Sequence, residues 1–408
     1  MVRIEDFHIQ FDQKWAVYHP GDEVTGSVNL RLSDKVFVDS ALAHFYGLAR
    51  VMWVNREVKD AAYRSVTYSS ENVYFNEKIE LWRYFGDNDN NQKHSKPVDP
   101  VEGEIDSLLR SHRNYMITNS GPHLKPGSHT FTFTFRLPHD LPTSFDAKHS
   151  DGYIRYSVKA CLMRQDAIKH SRKSYFTIVK PEDLNLISPI LRQPIREDTW
   201  KACKNGVFGL GQASTDTSIR LAATMDKRGY VPGEPVHVRV DVENRARKSI
   251  RLLKLHLMQH VVCLVDKPDV DSRLTTVAIS TISKVEKVRQ GVTYTWQAGP
   301  LYIPAVVPSF DVENSMQVSY YILVEAYRDP ECPKLHTELP IVIGTVPLQE
   351  GMEKLNGFGA MPTAPPAYDN VVGIPPPTYE ESVAGITGGK EKDDEACVPR
   401  YLLYNYQA

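Results

Sequence analysis

No stretch of this 408-residue chain approaches the eighteen or so consecutive apolar residues that a membrane-crossing helix needs. The N-terminus, Met1-Val2-Arg3-Ile4-Glu5-Asp6, has no apolar core of a secretory signal. Val2 stands where N-myristoylation requires glycine. Cysteine is sparse: Cys161, Cys203, Cys263, Cys332 and Cys397 are spread along the chain with no C-x-x-C pair. Without a secretory signal they read as free thiols in a reducing cytosol, not as a disulfide framework. Strong charge is missing as well. The net charge is −2, and the nine acids and four bases from Pro347 onward leave the tail at −5 and the body at +3. That balance argues against nucleic acid as a partner.

Catalytic signatures are also missing. The chain has no Gly-x-Ser-x-Gly elbow, P-loop or Gly-x-Gly-x-x-Gly. Gly206-Val207-Phe208-Gly209-Leu210-Gly211 has three glycines without a strand-to-helix context and reads as a loop. His112, His123, His129, His139 and His149 are dense but form no H-x-x-x-H pair, so they read as surface and loop histidines, not zinc ligands. The expectation is a protein with no chemistry of its own, no cofactor and no metal.

What is present is β-pattern. Short runs alternate apolar and polar residues, separated by Pro, Gly, Asn and Asp. Thr130–Leu137 puts Phe131, Phe133, Phe135 and Leu137 on one face, and Val236–Val242 and Leu253–Leu257 alternate in the same way. Many short strands with regular turns mean a sandwich or barrel.

The chain also repeats itself. Tyr18-His19-Pro20-Gly21-Asp22-Glu23-Val24 recurs as Tyr230-Val231-Pro232-Gly233-Glu234-Pro235-Val236, an offset of 212. In that register Val38, Ala43 and Phe45 fall opposite Ile250, Leu255 and Leu257. Further on, Gly152–Ala160 resembles Val318–Val324, and Leu141–Phe145 echoes Val307–Phe310, at an offset near 164. The first half therefore carries about 48 extra residues, placed between Val54 and Ser120, including the polar run Gly86–Gln92, expected to be an exposed loop. The reading is two tandem immunoglobulin-like β-sandwiches, residues 1–180 and 181–346, with the boundary near Lys180–Leu186. Residues 347–408 hold 8 of the 27 prolines and are expected to be a disordered tail.

That tail carries the sharpest motifs. Pro365-Pro366-Ala367-Tyr368 and Pro376-Pro377-Thr378-Tyr379 are two copies of Pro-Pro-x-Tyr. Proline fixes φ and removes a donor, which favours polyproline II. A WW domain reads such a segment, taking the prolines in an aromatic groove and the tyrosine in a second pocket. Pro362-Thr363-Ala364-Pro365 overlaps the first copy through Pro365. The last residues, Tyr401–Tyr406, are apolar and aromatic. They read as a loose tip, or equally as a strand docking on a sheet edge or a linear motif.

In this order, over nearly the whole chain, these pieces resemble the α-arrestins, or arrestin-domain-containing proteins. The residues that carry the resemblance are Gly229–Glu234, Asp183-Leu184-Asn185, Leu137-Pro138 with Pro142–Phe145, Gly152–Tyr156, Ile303–Ser309 and the Pro-Pro-x-Tyr pair. The resemblance implies two arrestin-type sandwiches and an adaptor. Such an adaptor links membrane receptors or transporters, as cargo, to the WW domains of HECT-type E3 ubiquitin ligases. Pro362–Pro365 resembles the late-domain peptide bound by the UEV domain of ESCRT-I, carried by a branch of the family tied to vesicle budding. The expected location is cytoplasmic and peripheral, at the plasma membrane, endosomes or budding vesicles. The other reading is a β-sandwich ligand carrier or signalling scaffold whose tail only regulates its own ubiquitin-dependent turnover. One α-arrestin branch has a redox-active cysteine before the tryptophan of Gly291–Trp296; this chain has none there, so no thioredoxin link is expected.

Phosphorylation of Tyr368 or Tyr379 adds about −1.5 to −2 charge, which an apolar WW pocket rejects. In a titration of a WW domain, the phosphorylated peptide is expected to lose binding that the plain peptide keeps; equal affinities would refute this reading of the pocket.

Overall fold

The computed structural model describes residues 4–59, 62–84, 121–147, 150–202, 218–246, 248–329, 332–349, 397 and 399–401. They form two tandem β-sandwiches, as the alternation implies. In the first, a three-stranded sheet has the order β1 (Ile4–Phe11), β3 (Glu23–Leu32), β6 (Gly127–Arg136). Facing it is a six-stranded sheet, β2 (Val17–Tyr18), β9 (Ala167–Ile178), β8 (Gly152–Arg164), β4 (Ser40–Lys59), β5 (Ala62–Arg83), with β7 (Phe145–Asp146) added on β8.

The second sandwich repeats this plan. A four-stranded sheet has the order β10 (Ile195–Ala202), β11 (Ser218–Met225), β13 (Pro235–Asn244), β16 (Val292–Tyr302). The facing sheet is β12 (Gly229–Tyr230), β19 (Cys332–Ile343), β18 (Met316–Asp329), β14 (Ile250–Val265), β15 (Asp271–Val288), with β17 (Phe310–Val312) on β18. The sequence register holds in space: β2 and β3 map onto β12 and β13 at an offset of 212, and β9 onto β19 at 165. The surplus of the first half lies chiefly between Arg83 and Gly127, where the second half needs only the step from Val288 to Val292. Gly86–Gln92 lies outside the described residues.

Period-2 burial drives the layering. β3 alternates strictly, with Val24, Val28, Leu30 and Leu32 facing in, and β14 does the same from Leu252 to Val265, after an irregularity at its start. Val38, Ala43 and Phe45, and their counterparts Ile250, Leu255 and Leu257, are all at 0% exposure. The phenylalanines of β6 pack as their pattern requires, with Phe45 stacked on Phe135 at 4.4 Å and meeting Phe133 edge-on at 5.5 Å. The repeated Pro-Gly turns have φ +87° at Gly21 and +93° at Gly233, the left-handed region that glycine enters at no steric cost. In both turns the acid that follows closes the loop: Asp22 Oδ2 accepts from His19 N at 2.7 Å, and Glu234 Oε2 from Val231 N at 3.0 Å.

Two side-chain-to-backbone locks are duplicated as well. Tyr156 donates its hydroxyl to Pro142 O at 2.8 Å, and Tyr320 donates to Val307 O at 2.7 Å. Ser144 Oγ accepts from Ile178 N, and Ser309 Oγ accepts from Ile343 N, at 2.9 and 3.0 Å. Each lock satisfies groups of an irregular strap that runs across the end of its sandwich. Both tyrosines are buried, so removing a hydroxyl strands a carbonyl. Tyr156→Phe is expected to lower unfolding free energy by about 1–3 kcal/mol. Tyr320→Phe should cost more, because Gln259 Nε2 also donates to Tyr320 Oη at 2.8 Å. Urea unfolding followed by tryptophan fluorescence checks both size and order.

Candidate functional site at the lobe junction

Between β9 and β10 the chain makes a short helix, α1 (Leu184–Ile187), and a 3₁₀ turn, Pro189–Arg192. Asp183 caps α1, its carboxylate accepting from Asn185 N at 2.9 Å. Asn185 then turns toward the end of the second sandwich. Its Nδ2 donates to Pro347 O at 2.9 Å, and its Oδ1 accepts from Gln349 N at 3.0 Å and from Arg192 Nη2 at 2.5 Å. Glu182 N donates to Thr345 Oγ1 at 2.7 Å, Thr345 N returns a bond to Glu182 O at 2.9 Å, and Asp183 bridges Val346. Leu184, Leu191 and Val231 bury a small apolar cluster beneath, with Val342 and Leu348 against it. The linker between the sandwiches and the segment that follows β19 toward the tail are thus one hydrogen-bonded unit.

The sandwiches also meet directly, and their buried apolar residues form one continuous core. Phe145 meets Phe310 edge-on at 5.8 Å. Arg273 lies over the Trp53 ring at 4.8 Å, bonds Asp151 at 3.3 Å and donates to Asn55. Ser69 N donates to Lys267 O at 2.9 Å, so the β4–β5 hairpin touches the loop between β14 and β15.

Near this junction lies a buried ion pair. Arg155 Nε donates to Asp146 Oδ2 at 2.5 Å, with side-chain exposures of 17% and 5%. Burial pushes the Asp146 carboxyl up, and the hydrogen bond and charge of Arg155 pull it back without cancelling the shift. The far C-terminus returns to this spot. Burial, reinforced by the Asp146 charge, pushes the Cys397 thiol up to about 12. Arg400 N donates to Thr177 Oγ1 at 3.1 Å, Arg400 Nη1 donates to Trp15 O at 2.8 Å, and the guanidinium sits over the Trp15 ring at 5.6 Å. Tyr401 donates its hydroxyl to Ser144 O at 3.0 Å and packs on the main core. Part of Tyr401 stays in solvent, but its phenolic end is enclosed. Burial, and then Tyr320 of the second sandwich, hold its pKa well above the usual phenol value.

All residues expected to bind WW and UEV domains, Pro362, Thr363, Ala364, Pro365, Pro366, Tyr368, Pro376, Pro377 and Tyr379, lie outside the described residues. So do His112 and His149. His123 and His129 bond backbone carbonyls of Gly121 and Lys125. Among the described residues, no group of three or more His, Cys, Asp and Glu is placed to hold a metal, and no helix is long and apolar enough to cross a membrane. The Asp146–Arg155 pair escaped sequence reasoning because its members sit nine residues apart with no local pattern to join them. Of the aromatic run Tyr401–Tyr406 only Tyr401 is described; the rest of that run, and with it the strand reading, lies outside the described residues. Cys397 and Pro399–Tyr401 belong to no strand, and Arg400 and Tyr401 bind through side chains and one backbone donor.

Residues 7–185 match the family described as Arrestin (or S-antigen), N-terminal domain, and residues 215–348 match Arrestin (or S-antigen), C-terminal domain. Arrestin domain-containing protein 4 of Homo sapiens is 27% identical over 398 residues, covering 91% of this chain and 82% of that protein. Arrestin domain-containing protein 17 of Caenorhabditis elegans is 28% identical over 356 residues, 85% of this chain and 72% of that protein. Arrestin domain-containing protein 1 of Homo sapiens is 25% identical over 401 residues, 95% of this chain and 75% of that protein.

The ion pair has a clear energetic signature. Asp146→Ala leaves Arg155 charged and largely buried, and is expected to cost about 3 kcal/mol. The double variant Asp146→Ala with Arg155→Met removes both charges and should regain at least half of that. Urea unfolding of the three proteins tests the cycle; a double variant no more stable than the single one would overturn it.

Proposed function

Because the chain belongs to the arrestin-domain-containing proteins, we propose that it is an adaptor that links membrane cargo to HECT-type E3 ubiquitin ligases. The two sandwiches hold the cargo, a receptor or transporter. The tail recruits the ligase through Pro365-Pro366-Ala367-Tyr368 and Pro376-Pro377-Thr378-Tyr379. The carrying observation is two copies of a WW-binding pattern on one stretch of chain, downstream of a body of two sandwiches. Tyr368 and Tyr379 are 11 residues apart, a span of about 36 Å at full extension, which lets adjacent WW domains bind together. Joining two weak contacts raises avidity by roughly 10²–10⁴ when geometry permits.

Pro362–Pro365 adds a contact for the UEV domain of ESCRT-I. Pro365 cannot occupy a UEV groove and a WW groove at once, so these partners compete for the first site while Tyr379 keeps a foothold for the ligase. This assigns the protein to the cytoplasmic side of the plasma membrane, endosomes or budding vesicles, as a peripheral component without catalysis of its own.

The order of elements supports the division of labour. Pro347 and Gln349 are held by Asn185 at the linker, so the chain leaves the body for the tail from beside that linker. Tyr368→Ala combined with Tyr379→Ala is expected to abolish co-purification of the ligase while leaving the urea unfolding midpoint unchanged. Retention of the ligase by that double variant would reject the assignment of the tail.

A further inference from the structure

We propose that β15 is a self-association edge. Two copies of this chain join antiparallel along Asp271–Val288, about a two-fold axis between Ile279 and Ser280, and their six-stranded sheets become one.

β15 ends its sheet and pairs with β14 alone. The backbone groups on its other side form a row of donors and acceptors that fits one more strand. Proteins guard such edges with charged side chains and proline, and the internal repeat supplies the contrast. β5 holds the same place in the first sandwich. Its charged residues, Arg64, Glu71, Glu77, Lys78, Glu80 and Arg83, leave no uncharged run longer than six residues. In β15 the run Leu274–Ser283 has ten residues with no charge and no proline, and six of them are β-branched. That run alone is about 33 Å long at the usual rise, longer than most whole strands. The first sandwich guards its edge and the second leaves its edge open.

The strand is also built to match itself, which a two-fold interface demands of its surface. Its register on β14 slips at Ile279: Leu257 pairs with Ser280, and Met258 with Ala278. The slip reverses the alternation of exposure. Leu274, Thr276 and Ala278 face solvent before it, and Thr281, Ser283 and Val285 after it. With the axis at the slip, Ala278 of one copy meets Thr281 of the other, Thr276 meets Ser283, and Leu274 meets Val285, all on the solvent face. Val277 meets Ile282 on the inner face. Moving one strand by a single residue sets outward side chains against inward ones. The irregularity that would spoil pairing with another strand lies on the axis here, opposite its own copy.

The side chains agree with this register. Leu274 and Val285 are 61% and 81% exposed, large apolar groups left in water by the single chain. Across the axis each covers the other, twice per dimer. Arg273 falls opposite Glu286, and Lys284 and Lys287 fall opposite Thr275 and Ser272, so no like charges meet. A dimer of this kind carries two tails and four copies of Pro-Pro-x-Tyr, but the pairing itself owes nothing to the tail.

The test is a charge swap at the two exposed apolar positions, read by sedimentation velocity of the full-length chain up to ~100 μM. The wild-type chain is expected to form a dimer. Leu274→Lys with Val285→Lys sets like charges against each other at both ends of the pairing, and so does Leu274→Glu with Val285→Glu. Each variant is expected to dissociate at least tenfold more readily than the wild type, with its urea unfolding midpoint unchanged. Mixing the two variants should restore a dimer, now held by opposite charges and weakened by salt. A wild-type chain that stays monomeric, variants that associate as the wild type does, or a mixture that stays monomeric would each overturn the proposal. None of these readings involves the ligase, so failure here is distinguishable from failure of the adaptor assignment.

Discussion

The exchange of hydrogen bonds between Glu182 and Thr345, extended by Asn185 to Pro347 and Gln349, governs how the rest of this chain is arranged. It joins the only segment that leads from the first sandwich to the second with the segment that leads out of the second. Polar backbone groups at such a crossing must find partners or lose free energy. Here each segment satisfies the other, over a floor of Leu184, Leu191 and Val231. The linker is therefore not a loose tether. It has a cap, a buried leucine and a partner strand, and the tail inherits a fixed point of departure.

Around that junction the protein is built twice. The locks of Tyr156 and Tyr320, and of Ser144 and Ser309, recur in both sandwiches. Each fixes the strap that crosses one end of the sheets. The two copies have diverged in what the strap presents. In the second sandwich Phe310 packs toward the first, against Phe145. In the first, the same strap carries Asp146 and offers the Ser144 carbonyl, and the C-terminus uses both. The repeated element thus serves the contact between sandwiches in one copy and the contact with the C-terminal segment in the other.

Much of the fold was legible because its signals are local. Pro-Gly turns announce positive φ, and period-2 alternation announces which face is buried, so an offset of 212 could be read and then found in β3 and β13 residue for residue. The loss of register between the halves also located the surplus residues, because an insertion changes the offset only beyond its own position. The candidate site was less legible. Asp183-Leu184-Asn185 was recognisable as a junction, but nothing local says that Asn185 grips Pro347 and Gln349, more than 160 residues away. The pairing of Arg155 with Asp146, and of Tyr401 with Ser144, likewise depends on chain reversal, which leaves no periodic trace. The terminal aromatics gave notice of a contact without its form, and of that run the structure describes Tyr401 alone.

Docking of the terminus also bears on why an acidic, proline-rich stretch follows a near-neutral body. A segment held in cis competes at an effective concentration set by its tether, not by the amount of protein in the cell. Weak contacts, three hydrogen bonds and a cation over an indole, then suffice to keep the terminus docked, where the same segment in free solution would bind poorly. The body and the tail are therefore coupled at two places, one built from the Asn185 side-chain amide on the backbone of Pro347 and Gln349, the other from Arg400 and Tyr401.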